Sequence, residues 1–227
     1  MNDRVTRSLL WILTPCAILV TVLVGRQVLS TRAEAPGAGL PRRVADWRSI
    51  AAEGRRIGSP TAQVTIVEFG DFECGFCAEF RVLFASLRRD FGDSLALVYR
   101  HYPLPFHQHA YGAALAAECA AAQGRFEAMH DTLYAWWNRL ADRSMVAFAM
   151  AAGVRDTLAF SRCLRSEEVA ARIRRDRDYI ERLGRTGTPT LIINGDVVMG
   201  TPPEAELRRI VSRQLRRAPR GGARSDQ

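Results

Sequence analysis

Val64-Thr65-Ile66-Val67-Glu68-Phe69-Gly70-Asp71-Phe72-Glu73-Cys74-Gly75-Phe76-Cys77 joins a strand pattern directly to a pair of cysteines. Residues 64–69 are a β-branched run of strand length, set off upstream by Gly58-Ser59-Pro60. Past the cysteines the period changes. Phe80, Leu83, Phe84 and Leu87 recur three and four residues apart, on one face of a helix over residues 78–91. A second strand pattern, residues 95–101, stops before Pro103 and Pro105. The order is β–α–β, and the cysteines stand where the first strand hands over to the helix.

That placement carries chemistry. A Cys-x-x-Cys spacing at a helix start lets the two sulfurs approach bonding distance. The first sulfur lies near unsatisfied N–H groups and the positive end of the helix dipole, which favours thiolate over thiol. Cys74 is then the attacking group, and Cys77 resolves the mixed disulfide. The same spacing is also half of a zinc site. Zinc needs two further ligands, and neither His107 with His109 nor Cys119 with Cys163 supplies a second Cys-x-x-Cys or a spaced His pair. A redox pair with no metal and no organic cofactor is the expectation.

Downstream, residues 109–183 read as helical throughout: an Ala-rich stretch at 113–122, an amphipathic one at 126–137, and others at 145–152 and 167–183. This block, about residues 105–184, reads as a helical insertion in a small α/β domain. Trp136-Trp137 is assigned to its core, and His101, His107, His109 and His130 to element ends and surfaces. Two short strand patterns, 190–193 and 197–199, then flank Asn194-Gly195, a strong hairpin signal because both turn positions tolerate positive φ. A last helix is expected over about 204–216, and the Pro-, Gly- and Arg-bearing residues 218–227 are expected to be disordered.

Upstream, residues 9–24 (LLWILTPCAILVTVLV) carry no charge and follow Arg4 and Arg7. Their length is near the lower limit for a helix crossing a hydrocarbon core of about 30 Å, and exceeds the usual apolar core of a cleaved signal, about 7–15 residues. Ala33-Glu34-Ala35 resembles a cleavage site, but Pro36 follows it directly. The expectation is a stub and transmembrane anchor over residues 1–25, with Cys16 inside it. A tether follows over residues 26–53, with a short helix near Trp47, and then the main domain over 54–217. Arg26 and Arg32 on the far flank weaken the charge argument for orientation.

The net charge of +8 points first to nucleic acid, but the chain has no Lys, and its 32 basic residues are all Arg. They are interleaved with acids, as in Arg174-Arg175-Asp176-Arg177-Asp178, which is the pattern of a solvated helix face. Nucleic acid is excluded as the expected partner.

Phe69-x-Asp71-Phe72-x-Cys74-Gly75-Phe76-Cys77, with Gly187-Thr188-Pro189-Thr190 ahead of a strand, resembles the DsbA-like branch of the thioredoxin superfamily over about residues 54–215. The resemblance implies a thioredoxin-like α/β fold carrying the helical insertion, preceded here by the transmembrane helix. It implies a cis peptide before Pro189, with Thr188 and Pro189 presenting a backbone edge to a substrate segment. Glu68 matches a buried acid beneath the active site, able to take the proton that Cys77 loses if burial raises its pKa. An exposed glutamate on an alternating strand is the other reading. Some relatives carry an additional disulfide in the insertion, so Cys119 and Cys163 are expected to pair, the alternative being two buried thiols.

One departure stands out. Between the cysteines, better-known oxidising members have Pro-His, and this chain has Gly75-Phe76. Phe places no positive charge near Cys74, so a less depressed thiol pKa and a weaker oxidant are expected. The implied function is extracytoplasmic thiol–disulfide exchange on cysteine-containing proteins, assisting disulfide formation, with a membrane redox partner recharging the pair. A single-pass anchor would hold the domain on the periplasmic side. A membrane-tethered reductase for a dedicated client such as cytochrome maturation, and a non-catalytic client-binding module, are the competing readings.

Overall fold

The computed structural model describes residues 43–217. The chain divides into two compact units, residues 1–40 and 41–227, and only the second contains described residues. The expected anchor with Cys16, most of the tether and the tail at 218–227 therefore lie outside them. Among the described residues, no helix is long and apolar enough to cross a membrane.

The elements follow in chain order as α1 (Trp47–Glu53), β1 (Arg55–Ile57), β2 (Val64–Gly70), α2 (Gly75–Phe91), β3 (Leu95–His101), α3 (Ala110–Ala121), α4 (Phe126–Ala135), α5 (Met145–Ala151), α6 (Thr157–Cys163), α7 (Glu167–Arg182), β4 (Thr190–Ile193), β5 (Asp196–Met199) and α8 (Glu204–Arg217). The five strands form one mixed sheet in the order β1-β3-β2-β4-β5. β2 lies at its centre, parallel to β3 and antiparallel to β4, with Glu68 opposite Tyr99 on one side and Leu191 on the other. All seven residues of β2 and all seven of β3 are buried, so both run as near-continuous apolar segments rather than alternating ones.

The sheet divides two cores. On one face, Val64 and Ile66 of β2 join Phe80, Phe84 and Leu87 of α2, the buried alanines of α3, Met129 and Leu133 of α4, Phe148, Phe160, and Leu207 and Val211 of α8. On the other, Val67 and Phe69 pack with Val44, Trp47, Ile50 and Ala51 around α1 and with Ile180 of α7. Burying one such Leu, Ile or Phe side chain stabilises the fold by about 1.5–3 kcal/mol.

Three boundaries differ from the sequence expectation. Residues 43–53, read as the end of a tether, belong to the fold: α1 buries Trp47, Ile50 and Ala51, and Arg43 bridges to Asp196 beside β5. The domain thus starts well before residue 54. β1 was not anticipated, because Arg-Arg-Ile has no apolar alternation; its pairing with β3 makes it a strand. The helical block, read as an insertion without assignment to a face, contributes to both faces of the sheet. α6 is an additional helix, started by Asp156, whose carboxylate accepts from the Ala159 amide at 2.8 Å, and α7 covers the opposite sheet face from α3–α6.

The Asn-Gly hairpin forms between β4 and β5, with φ of 47° at Asn194 and 100° at Gly195. The Asn194 side chain ties this turn to the start of β2: its Oδ1 accepts from Thr65 N at 2.9 Å and its Nδ2 donates to Gln63 O at 3.0 Å. Gly195 is needed for space as well as φ, since a Cβ there would lie 2.9 Å from the Trp47 ring.

Candidate active site

Cys74 is the N-cap of α2, with extended backbone at φ −86° and ψ 120°. Its own amide donates to Asp71 O at 3.1 Å, and its carbonyl accepts from Ala78 N at 3.1 Å. The thiol is therefore fixed at the mouth of the helix, 3.5 Å from the Thr188 carbonyl oxygen, to which its S–H donates. The Thr188–Pro189 peptide is cis. Pro189 O accepts from Gly200 N at 2.8 Å, which holds the loop ahead of β4 beside the cysteines.

The two thiols are both free, and they are electrostatically unequal. A hydrogen bond from the Cys77 thiol, helped by the Thr188 side chain and by the backbone amides of Cys77 and Phe76, brings the Cys74 pKa down to about 6 against an opposing desolvation. Burial, the hydrogen bond to Cys74 and the neighbouring Glu68 push the Cys77 thiol well above its ordinary value. At neutral pH this favours thiolate at Cys74 and thiol at the more deeply buried Cys77.

Glu68 lies under them. It is fully buried on the face of β2 that α2 covers, and neither of its carboxylate oxygens has a hydrogen-bond partner. Burial first, then the charge at Cys74, raises its pKa well above the ordinary carboxylate value. A carboxyl in that state is suited to exchange a proton with a thiol whose pKa is also raised.

Four side chains around the pair were not assigned a role from sequence. Asp71 accepts from Glu73 N at 2.7 Å, Leu104 N at 2.7 Å and His107 Nδ1 at 2.8 Å, so it pins the loop after β3 against the cysteine turn. Glu73 accepts from the amides of His109 at 2.7 Å and Ala110 at 3.1 Å, capping α3. Both acids lie just ahead of Cys74 in sequence and accept from amides of the segment between β3 and α3, contacts that no periodic pattern reports. His130 is buried in mid-helix rather than at an element end. Trp137 is also corrected. Trp136 packs on Phe148 in the insertion core, but Trp137 is 37% exposed and lies across Gly75, where a Cβ would come within 3.0 Å of its ring. Gly75 is thus a spacing requirement, while Phe76 next to it is exposed and its carbonyl accepts from Thr201 Oγ1 at 2.6 Å.

Cys119 on α3 is joined to Cys163 at the end of α6, with S–S 2.03 Å, which removes both from any ligand set. The described residues contain no cluster of three or more His, Cys, Asp or Glu side chains that could hold a metal.

A dithiol at the head of a helix, a cis-proline loop against its first sulfur and a buried acid behind its second define a thioredoxin-like redox protein. A family model described as thioredoxin matches residues 51–213, and the chain belongs to that family, resembling within its superfamily the DsbA-like thiol–disulfide oxidoreductases. A thioredoxin-like oxidoreductase from Silicibacter pomeroyi DSS-3 shares 28% identity at a TM-score of 0.62, over 73% of this chain and 94% of that one. BdbD from Bacillus subtilis, in its oxidised form, shares the fold at a TM-score of 0.66 and 20% identity, over 78% of this chain and 97% of that one. The Na(+)/H(+) antiporter NhaA 1 of Mycolicibacterium gilvum (strain PYR-GCK) is 40% identical over 141 residues, 61% of this chain. The match spans only 23% of that antiporter's length.

Proposed function

We propose that this protein exchanges dithiols and disulfides with cysteine-containing protein clients outside the cytoplasm, through Cys74 and Cys77, and that its net direction is disulfide formation. The observation that carries the proposal is the inequality of the two thiols. One is a thiolate near neutral pH beside the Thr188–Pro189 edge; the other is buried over an acid.

In the oxidising direction a client thiolate attacks Cys74 Sγ of the Cys74–Cys77 disulfide. The S–S bond breaks, Cys77 leaves as thiolate and takes a proton from Glu68. A second client thiolate then attacks the client sulfur of the mixed disulfide, expelling Cys74 thiolate, which its surroundings stabilise. The client gains a disulfide and the protein holds the two electrons as a dithiol. Recharging runs the steps backward against a membrane redox partner, with Glu68 accepting the Cys77 proton. Thr188 and Pro189 dock the client backbone. Cys119–Cys163 has no part in the exchange and holds the insertion together.

The uncharged residues 9–24 support a single-pass anchor with the domain on the periplasmic side. A specific observation also favours the reductase reading. A Cys74 pKa of about 6 stands nearer to thioredoxin's (about 7) than to that of DsbA (about 3.5).

Redox equilibration in glutathione buffers decides the direction. A potential near about −120 to −180 mV supports the oxidase, and one near about −270 mV replaces it with the reductase. Trapping on a Cys77→Ser variant tests the exchange itself. Stable mixed disulfides through Cys74 are expected, and client capture by Cys74→Ser equal to wild type, with no thiol exchange by either, would leave only a binding module.

A further inference from the structure

Glu68 is sealed from solvent, so a proton it takes from Cys77 needs a way out before the next cycle. Its cross-strand neighbour is Tyr99. The space that a Cβ on Gly70 would fill is bounded by Glu68 Oε1 and Tyr99 Oη, each 2.9 Å away, so carboxyl and phenol face one small site that only a glycine leaves open. Tyr99 Oη is 3.0 Å from Tyr134 Oη in a buried hydrogen bond. One turn earlier on α4, His130 sets its ring edge-on to both phenols, with centroids 4.9 Å from Tyr134 and 5.2 Å from Tyr99. Its Nε2 is buried and unpartnered, as are the Glu68 oxygens, while its Nδ1 lies 3.2 Å from Asp131 Oδ1. His130 and Asp131 both line a cleft of about 420 Å³ beside Arg81 and Arg88. The array therefore has an unsatisfied acceptor at each end, a hydrogen-bonded phenol pair between them, and solvent beyond.

We infer that Tyr99, Tyr134 and His130 form the route by which the proton passes between Glu68 and the cleft at Asp131. The inference rests on the thiol–disulfide reading above and adds residues to it. As Cys77 resolves a mixed disulfide, its S–H proton goes to Glu68 and its sulfur bonds to Cys74 Sγ, expelling the partner thiolate. Neither Glu68 with Tyr99 nor Tyr134 with His130 Nε2 is hydrogen-bonded at rest, so side-chain rotation first closes those two contacts; the Glu68 proton then moves to Tyr99 Oη while the Tyr99 proton moves to Tyr134 Oη and the Tyr134 proton to His130 Nε2. His130 releases its Nδ1 proton to Asp131 and so to solvent. Each phenol ends with one proton, Glu68 is again a carboxylate, and His130 is the other neutral tautomer. The return traffic, needed when Cys77 leaves as thiolate, uses the same atoms in reverse. Burial lowers the His130 pKa, which keeps the imidazole neutral and able to accept. The charged groups acting on it are Asp131 and Glu127 of α4 and Arg81 of α2.

Two buried tyrosines that merely satisfy one another would look alike in static geometry. Rates separate the cases. In the full-length protein, Tyr99→Phe and Tyr134→Phe keep the rings and remove the transferable protons. His130→Ala opens the cleft end. Each is expected to slow resolution of a preformed Cys74–glutathione disulfide about tenfold at pH 7 and to change its pH profile, with the alkylation profile of Cys74 unmoved. Added imidazole should restore the His130→Ala rate. Phe126→Leu, which loosens the same aromatic cluster without touching a proton-carrying atom, should keep the wild-type pH profile. Wild-type resolution in both Phe variants, or the same altered profile in Phe126→Leu, would overturn the route. If the wild type forms no glutathione adduct at Cys74 at all, the exchange reading fails first, and the route goes with it.

Discussion

Glu68 and Glu118 are both buried, at 0% and 2% exposure, yet their surroundings are opposite. Glu118 on α3 accepts from Arg55 Nε at 3.0 Å and from His101 Nε2 at 2.9 Å, and Arg172 stands 3.2 Å away. Burial alone would raise its pKa, but His101, Arg55 and Arg172 outweigh burial and hold it below the usual carboxylate range. Glu68 has no such partners, and burial prevails. A buried carboxylate that is paired cross-links the fold, here β1, β3, α3 and α7. One left unpaired keeps a proton within reach of whatever lies beside it, and beside Glu68 lies Cys77.

The largest test of that contrast is on stability. Glu118→Gln removes one partner of a buried ionic cluster and is expected to cost about 3 kcal/mol in chemical denaturation, with thiol exchange in the folded protein intact. Glu68→Gln is expected to do the reverse: resolution by Cys77 slows about a hundredfold while stability at neutral pH is equal or higher.

The pH dependence should then split the two variants in opposite directions. Glu118 has a depressed folded pKa, so its contribution is present above its unfolded value of about 4.5 and fades as pH falls toward the folded value. Glu68 has a raised one, so its burden is absent below about 4.5 and grows as pH rises above it. Melting curves of the reduced protein from pH 3 to 8 should show the Glu118→Gln deficit widening with pH and a Glu68→Gln advantage widening with pH. Parallel curves for the two variants would erase the distinction.

The smallest effect concerns the attacking sulfur, Cys74. Alkylation of Cys74 should rise through a midpoint near pH 6 and then level off, because its thiolate dominates above its pKa of about 6. Phe76→His should move that midpoint down by about one unit through added positive charge. An unmoved midpoint would mean that Phe76 does not account for the modest acidity of Cys74.

What sequence could reveal follows from which forces act locally. The run from Val64 to Cys77 and the Asn194-Gly195 turn are governed by β-branched composition and backbone φ, and both were legible. Arg55–Ile57 became a strand only through β3 and left no local mark; the short helix near Trp47 was legible, but its packing on a hairpin nearly 150 positions later was not. The cysteines announced themselves by spacing. Trp137, Asp71, Glu73 and His130 did not, since each acquires its role from a neighbour brought in by tertiary packing.

The chain enters its fold at the far end of the sheet from its reactive sulfur. Val44 N donates to Gly195 O at 2.8 Å, and the hairpin turn that receives it caps the starting end of β2, whereas Cys74 follows the finishing end. Seven strand residues put roughly 20 Å between those ends. Arg43 therefore pairs with Asp196 at the end of the sheet remote from the Thr188–Pro189 edge beside Cys74.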